Sequence, residues 1–148
     1  MNRPLRPPHR HHGVALVEFA LILPFLLLLS FATVEFGRAL YQFNTVAKSV
    51  RDAARYLSAQ TPGTRLTEAR NLVVYGNTAG TGSPLAPGLT VAQVQTPTWQ
   101  VIGTDPVLNT VTVRVSGYRF QSMFTSAFGH SFGPFTYSDI SATMRSYL

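Results

Sequence analysis

Gly13-Val14-Ala15-Leu16-Val17-Glu18-Phe19-Ala20-Leu21-Ile22-Leu23-Pro24-Phe25-Leu26-Leu27-Leu28-Leu29-Ser30-Phe31-Ala32-Thr33-Val34 is the stretch that decides the fold. Val14 to Val34 is 21 residues with one charge, Glu18, and Phe19 to Val34 has none. About 20 apolar residues in helical form cross a bilayer core. Residues 14–34 therefore read as a transmembrane helix, most apolar at Leu26 to Leu29. Pro24 should kink this helix rather than end it, because neighbouring groups re-satisfy freed backbone inside membranes.

Residues 1–13 form a leader with Arg3, Arg6 and Arg10 and no acid. Pro4, Pro7 and Pro8 keep it out of the helix. Basic residues beside a first span stay in the cytoplasm, so the N-terminus is expected inside and the chain beyond about residue 35 outside. His9-Arg10-His11-His12 has no second ligand set and reads as part of the leader, with no metal site implied.

The whole chain has 148 residues, 12 Lys+Arg against 6 Asp+Glu, a formal charge of +6 and a pI near 10.3. Only 12% of residues are charged, about half the usual 25%. A hydrophobic share of 45% and a mean hydropathy of +0.12 exclude a disordered chain. Zero cysteines exclude disulfides, thiolate metal sites and cysteine nucleophiles. The bases are scattered, with no basic run interleaved with aromatics, so nucleic acid is not an expected partner.

The helical pattern continues past the span. Phe36, Leu40, Phe43, Ala47, Val50, Ala54 and Leu57 step by four and three, a heptad-like stripe. Arg38, Thr45, Lys48, Asp52 and Arg55 fall on the other face. No proline occurs between Phe25 and Thr61, so one helix is predicted from about Val14 to Ser58, with residues 35–58 as its extramembrane part. Thr61-Pro62-Gly63 ends it.

Residues 60–148 are predicted to form a small extracytoplasmic α+β domain. A second helix is expected over Arg65–Tyr75, with Thr64 as its N-cap and Gly76-Asn77 as its stop. Residues 77–88 read as loop. Strands are predicted at Leu89–Gln95, Trp99–Ile102, Val107–Tyr118 and Phe135–Arg145, the third with Val111, Val113 and Val115 on one face. Gln121–Pro134 reads as loop. The helical stripe needs a cover, and a twisted antiparallel sheet built from these strands is the natural one. The expected fold class is α+β, a long transmembrane-plus-extramembrane helix packed on a small antiparallel sheet.

Glu18 is the informative charge. A charge within a span costs about 2.5–3.5 kcal/mol at the helix centre and asks for a partner. Cutting the chain after Gly13 would give Val14 a free amine, with a pKa of about 7.7–8.0, one helical turn from Glu18. Glu18 of one subunit could then pair with the new amine of a neighbour and set their axial register. Gly13, lacking Cβ, suits the unusual backbone a peptidase requires.

A basic leader ending in Gly13, followed by an apolar run with Glu18 as its fifth residue, resembles the class III signal peptide of type IV pilin-like proteins. Ala15 to Tyr56 further resembles TadE-like proteins, the minor pseudopilins of the tight-adherence (Flp) pilus. The matching residues are Val17-Glu18-Phe19-Ala20-Leu21, Pro24, the membrane-exit motif Glu35-Phe36-Gly37-Arg38, Tyr41, and Arg51-Asp52-Ala53-Ala54-Arg55-Tyr56. Asp52-Ala53 departs from the Glu-Gly usual in the family. Ser141-Ala142-Thr143-Met144-Arg145 is also similar to the family's C-terminal region.

The resemblance implies a pilin-like structural subunit of the bacterial inner membrane, cleaved between Gly13 and Val14, with Glu18 needed for assembly. It also implies other pilins or pseudopilins, the prepilin peptidase, the inner-membrane Tad secretion platform and the lipid bilayer as partners. No cofactor, small-molecule substrate or enzymatic activity is implied. Gly129-His130-Ser131-Phe132-Gly133 matches the G-x-S-x-G nucleophile elbow, but Pro134 and a strand follow where that motif needs a helix. Glu68, Asp105 and Asp139 fall on three separate elements, so no carboxylate pair is expected. Two other readings remain open at this level. One is a secreted domain cut after Ser30-Phe31-Ala32; the other is a binding domain on an uncut anchor.

Overall fold

A computed structural model describes residues 12–123, 126–127, 130–131 and 134–147. The leader through His11 lies outside the described residues. The elements are α1 (His12–Ser58), α2 (Leu66–Tyr75), β1 (Thr98–Ile102), β2 (Leu108–Val115), β3 (Ser126–Ala127), β4 (His130–Ser131) and β5 (Ile140–Arg145), with a 3-10 turn over Val91–Gln93. The chain divides into two compact units, with the boundary between Phe36 and Gly37.

The first unit is the N-terminal part of α1. An 18-residue stretch of this helix reaches a mean hydropathy of 2.5 with none of it buried. Phe25 is 74% exposed. Such a surface is unfavourable in water and suited to lipid. Pro24 lies inside the helix. The hydroxyls of Ser30 and Thr33 donate to the carbonyls of Leu26 and Leu29, each at 2.8 Å. Both polar groups are thereby satisfied within the helix, as a hydrocarbon surrounding demands.

In the second unit, β1, β2 and β5 form an antiparallel sheet in the order β1-β2-β5, with Trp99 opposite Val111 and Val113 opposite Ala142. Alternation along β2 sends Val111, Val113 and Val115 inward. They share one apolar cluster with Val46, Val50, Ala53, Ala54 and Leu57 of α1, Ala69, Val73 and Val74 of α2, and Ile140 of β5. This is the α+β arrangement the pattern predicts. Gly76, at φ 72°, ends α2 as expected, its N–H donating to the Leu72 carbonyl at 3.0 Å.

Several details differ from the sequence reading. The face of α1 turned to the core keeps Val50, Ala54 and Leu57 of the predicted stripe, with Phe43 and Ala47 packed on it, but is rotated from the stripe at its N-terminal end. Ala39, Gln42, Val46, Ser49, Val50, Ala53, Ala54, Leu57 and Ser58 are buried, whereas Phe36 and Leu40 are 67% and 48% exposed. The reason is helical arithmetic. A four-three stripe repeats every 3.5 residues and drifts by about 20° per heptad on a straight helix. Ala39 and Leu57 are five full turns apart at 3.6 residues per turn and share one line, while Leu40 lies about 100° away.

Arg65 precedes α2 with a left-handed φ of 56°, and the Thr64 hydroxyl donates back to Thr61 rather than capping the helix. Residues 89–95 do not form a strand. Gln93 accepts a hydrogen bond from the Thr90 N–H at 2.9 Å, closing a 3-10 turn, and only Val94 bridges to Val115. Between Gln121 and Pro134, expected as loop, β3 and β4 pair over two residues each. The last strand starts at Ile140 rather than Phe135.

Candidate functional site

α1 begins at His12, so Gly13 and Val14 both lie in its first turn. Among the described residues, nothing beyond its chain neighbours and the helix's own backbone comes within 4 Å of where a Cβ on Gly13 would sit. Glu18 follows Val14 by four residues and faces the same side, one turn on. Both are exposed. The pair is thus displayed on the free surface of the apolar helix.

The exit motif is split by its surroundings. Glu35 is buried at 7% exposure, while Phe36 points out. Gly37 has nothing within 4 Å of a hypothetical Cβ, so no close approach in the fold requires its lack of side chain. The Arg38 guanidinium carbon lies 5.7 Å from the centroid of the Phe120 ring, a cation–π contact. Arg38 therefore belongs with the second unit rather than on a purely solvated face.

Sequence reasoning missed what surrounds Arg38. Residues 118–120 and 135–137 pair antiparallel: the Phe120 N–H donates to the Phe135 carbonyl and the Tyr137 N–H to the Tyr118 carbonyl, both at 2.9 Å. In each segment two aromatics alternate with a polar residue, so all four rings share one side. Tyr118 and Tyr137 stack at 5.4 Å between centroids, and Phe135 meets Phe120 and Tyr137 at 5.1 Å each. Phe43 of α1 packs against Tyr137 at 5.8 Å.

Two hydroxyls fasten this collar to α1. Tyr137 donates to the Ala39 carbonyl at 2.8 Å, and Tyr118 lies 3.1 Å from both Gln42 Oε1 and the Pro87 carbonyl. The small Ala39 side chain leaves the backbone open to Tyr137. Gln42, buried at 4% exposure, is satisfied by Tyr118. Burial pushes the Tyr118 phenol up to about 12 and raises Tyr137 in the same direction. The alternation Tyr118-Arg119-Phe120 with Phe135-Thr136-Tyr137 was the signal that could have disclosed the collar.

Among the described residues no cluster of three His, Cys, Asp or Glu could hold a metal ion. Gly129, Phe132 and Gly133 of the G-x-S-x-G match lie outside the described residues, and Ser131 sits in β4 paired with β3. Asp139 faces Arg114 at 3.6 Å, and Glu68 is bonded by Arg65 at 2.8 Å. Each of these two acids is thus held by a surface cation.

A family model described as TadE-like protein matches residues 13–55. No curated protein and no solved structure matches the chain. The matched segment covers the apolar stretch, Glu18, Glu35-Phe36-Gly37-Arg38 and α1 as far as Arg55. The resemblance read over Ala15 to Tyr56 therefore holds as far as residue 55, and the chain carries a TadE-like N-terminal segment at residues 13–55.

Proposed function

We propose that this protein is a minor pseudopilin, a structural subunit of a Tad (Flp) pilus or secretion apparatus, processed by prepilin peptidase between Gly13 and Val14. The observation that carries the reading is Glu18 on an exposed apolar helix, one turn from Val14, inside the segment that matches TadE-like proteins. Cleavage removes Arg3, Arg6 and Arg10. The mature chain then has nine basic and six acidic residues, a formal charge of +3. The span sits in the inner membrane with its N-terminus cytoplasmic and the second unit outside. In the lipid, Glu18 pairs with the Val14 amine of an adjacent subunit, offsetting a desolvation cost that is about 2.5–3.5 kcal/mol at a helix centre and smaller near an end. The Tad platform in the inner membrane and other pseudopilins are its partners in assembly, and the apparatus serves adhesion and secretion. The protein's work is assembly rather than catalysis.

N-terminal sequencing of the membrane-fraction protein tests the processing. A start at Val14 is expected. A start at Thr33 would mean a secreted domain, and one at Met1 an uncut anchor. Glu18→Gln should insert and be cut normally yet reduce pilus output. Unchanged piliation would remove the pairing from the scheme.

A further inference from the structure

We propose that the outward face of the three-stranded sheet binds an acidic saccharide chain, a hydroxyl-rich polymer bearing carboxylate groups. The inference goes beyond the assembly reading and does not depend on whether the leader is cut.

The alternation that buries Val111, Val113 and Val115 sends the residues between them to the other side of the sheet. There Thr98, Thr112 and Thr143 stand in register and cross all three strands as a row of hydroxyls. Thr112 and Thr143 share a hydrogen bond of 2.8 Å. Beside this row lies a shallow cavity of about 440 Å³, lined by Gln95, Thr96, Thr98, Gln100, Thr112 and Arg114. The volume is in the range of ligand sites. Neither an apolar side chain nor an acid is among the six. Their groups are partly fixed in advance: Gln95 Nε2 donates to Ser116 Oγ at 2.7 Å, and Arg70 donates to Thr96 Oγ1 at 2.6 Å. The Thr96 hydroxyl thus keeps its own proton to donate. Hydroxyls and amides both donate and accept, as the hydroxyls of a sugar require, and side chains already ordered lose less entropy on binding.

Charge narrows the ligand. Arg114 lines the cavity, and Arg145 stands opposite Thr110, four residues from Arg114 on β2. At about 3.3 Å per residue the two arginine positions are about 13 Å apart along the strands. One small anion cannot meet both, whereas a chain with repeated carboxylates can. Asp139 faces Arg114 at 3.6 Å, with the two side chains 50% and 53% exposed. That separation exceeds a hydrogen bond, so the guanidinium fork stays available to a ligand carboxylate. Residues 37–148 hold nine Lys and Arg against four Asp and Glu, which draws a polyanion toward this unit.

Calorimetric titration of the full chain in detergent with an oligogalacturonate tests the site. Saturable binding is expected. Arg114→Gln and Arg145→Gln should each weaken it about tenfold or more, and Thr112→Val should weaken it as well, all with unaltered thermal unfolding. Arg55→Gln removes the same charge from the exposed side of α1, which packs against the opposite face of the sheet, and should leave the affinity unchanged. Galacturonate monomer and neutral dextran should bind far more weakly. Equal weakening by Arg55→Gln, or equal affinity for a single-stranded oligonucleotide, would reduce the binding to general charge attraction and overturn the site. Absence of binding, or dextran binding as well as oligogalacturonate, would overturn it too. Dimers of the chain that Thr112→Val dissolves would put a second copy on this face instead of a saccharide. None of these outcomes touches the processing at Gly13.

Discussion

Tyr118 joins structure and protonation. Its phenol is buried at 1% exposure, stacked on Tyr137 and bonded to Gln42, and burial raises it from 10.0 to about 12. The folded state thus holds the proton more tightly than the unfolded chain. The corresponding stability is whole below pH 10 and is lost as pH rises from 10 through 12. Burial raises Tyr137 in the same direction, so its contribution has the same sign. We expect the denaturant midpoint of the second unit to fall across that window. Tyr118→Phe should make the fall shallower while costing about 0.5–1.5 kcal/mol at neutral pH for the lost hydrogen bonding. A midpoint whose pH profile is unaltered in Tyr118→Phe would assign the loss to other groups.

Residues 37–58 of α1 show how far a pattern of residues specifies an element. The four-three stripe identified the helix and its stop, and the alternation at Val111, Val113 and Val115 identified the central strand. The rotation of the helix was not legible, because Phe36 and Leu40 look like core by type. What turns them outward is the collar, which needs Ala39 and Gln42 beneath Tyr137 and Tyr118, contacts spanning 98 and 76 positions. Residues 89–95 misled for a local reason: a Gln side chain closing on the backbone outweighed the β-propensity of Val91 and Val94. Mutagenesis reads the rotation directly. Leu57→Ala empties a fully buried site and should cost about 2–5 kcal/mol. Leu40→Ala, on the outward face, should stay within about 0.5 kcal/mol. Equal losses in thermal or denaturant unfolding would restore the predicted stripe.

For the molecule as a whole, the buried core of the second unit runs from Val46 to Ile140, with Phe43, Ala142 and Met144 packed against it, and among the described residues none of 14–34 belongs to it. The fold of that unit should therefore be indifferent to the sequence of residues 14–34. Replacing the span with a leucine-rich helix of equal length should leave the hydrogen-exchange protection of Val111 and Val113 in detergent unchanged. Reduced protection there would show that the span supports the domain. The candidate site divides along the same line. The long apolar helix was legible from its uncharged run, and Gly13, Glu18 and Glu35-Phe36-Gly37-Arg38 stand out in the sequence as breaks in charge or hydropathy. The collar was not, because its rings come together only when distant segments pair.

The outer strand β1, Thr98-Trp99-Gln100-Val101-Ile102, carries no charge, and Val101 is 67% exposed. Natural sheets commonly guard such rims with lysine, proline or a bulge. At low concentration this rim meets few neighbours. When the protein is concentrated, an unguarded rim invites adventitious strand-to-strand adhesion between copies of the second unit.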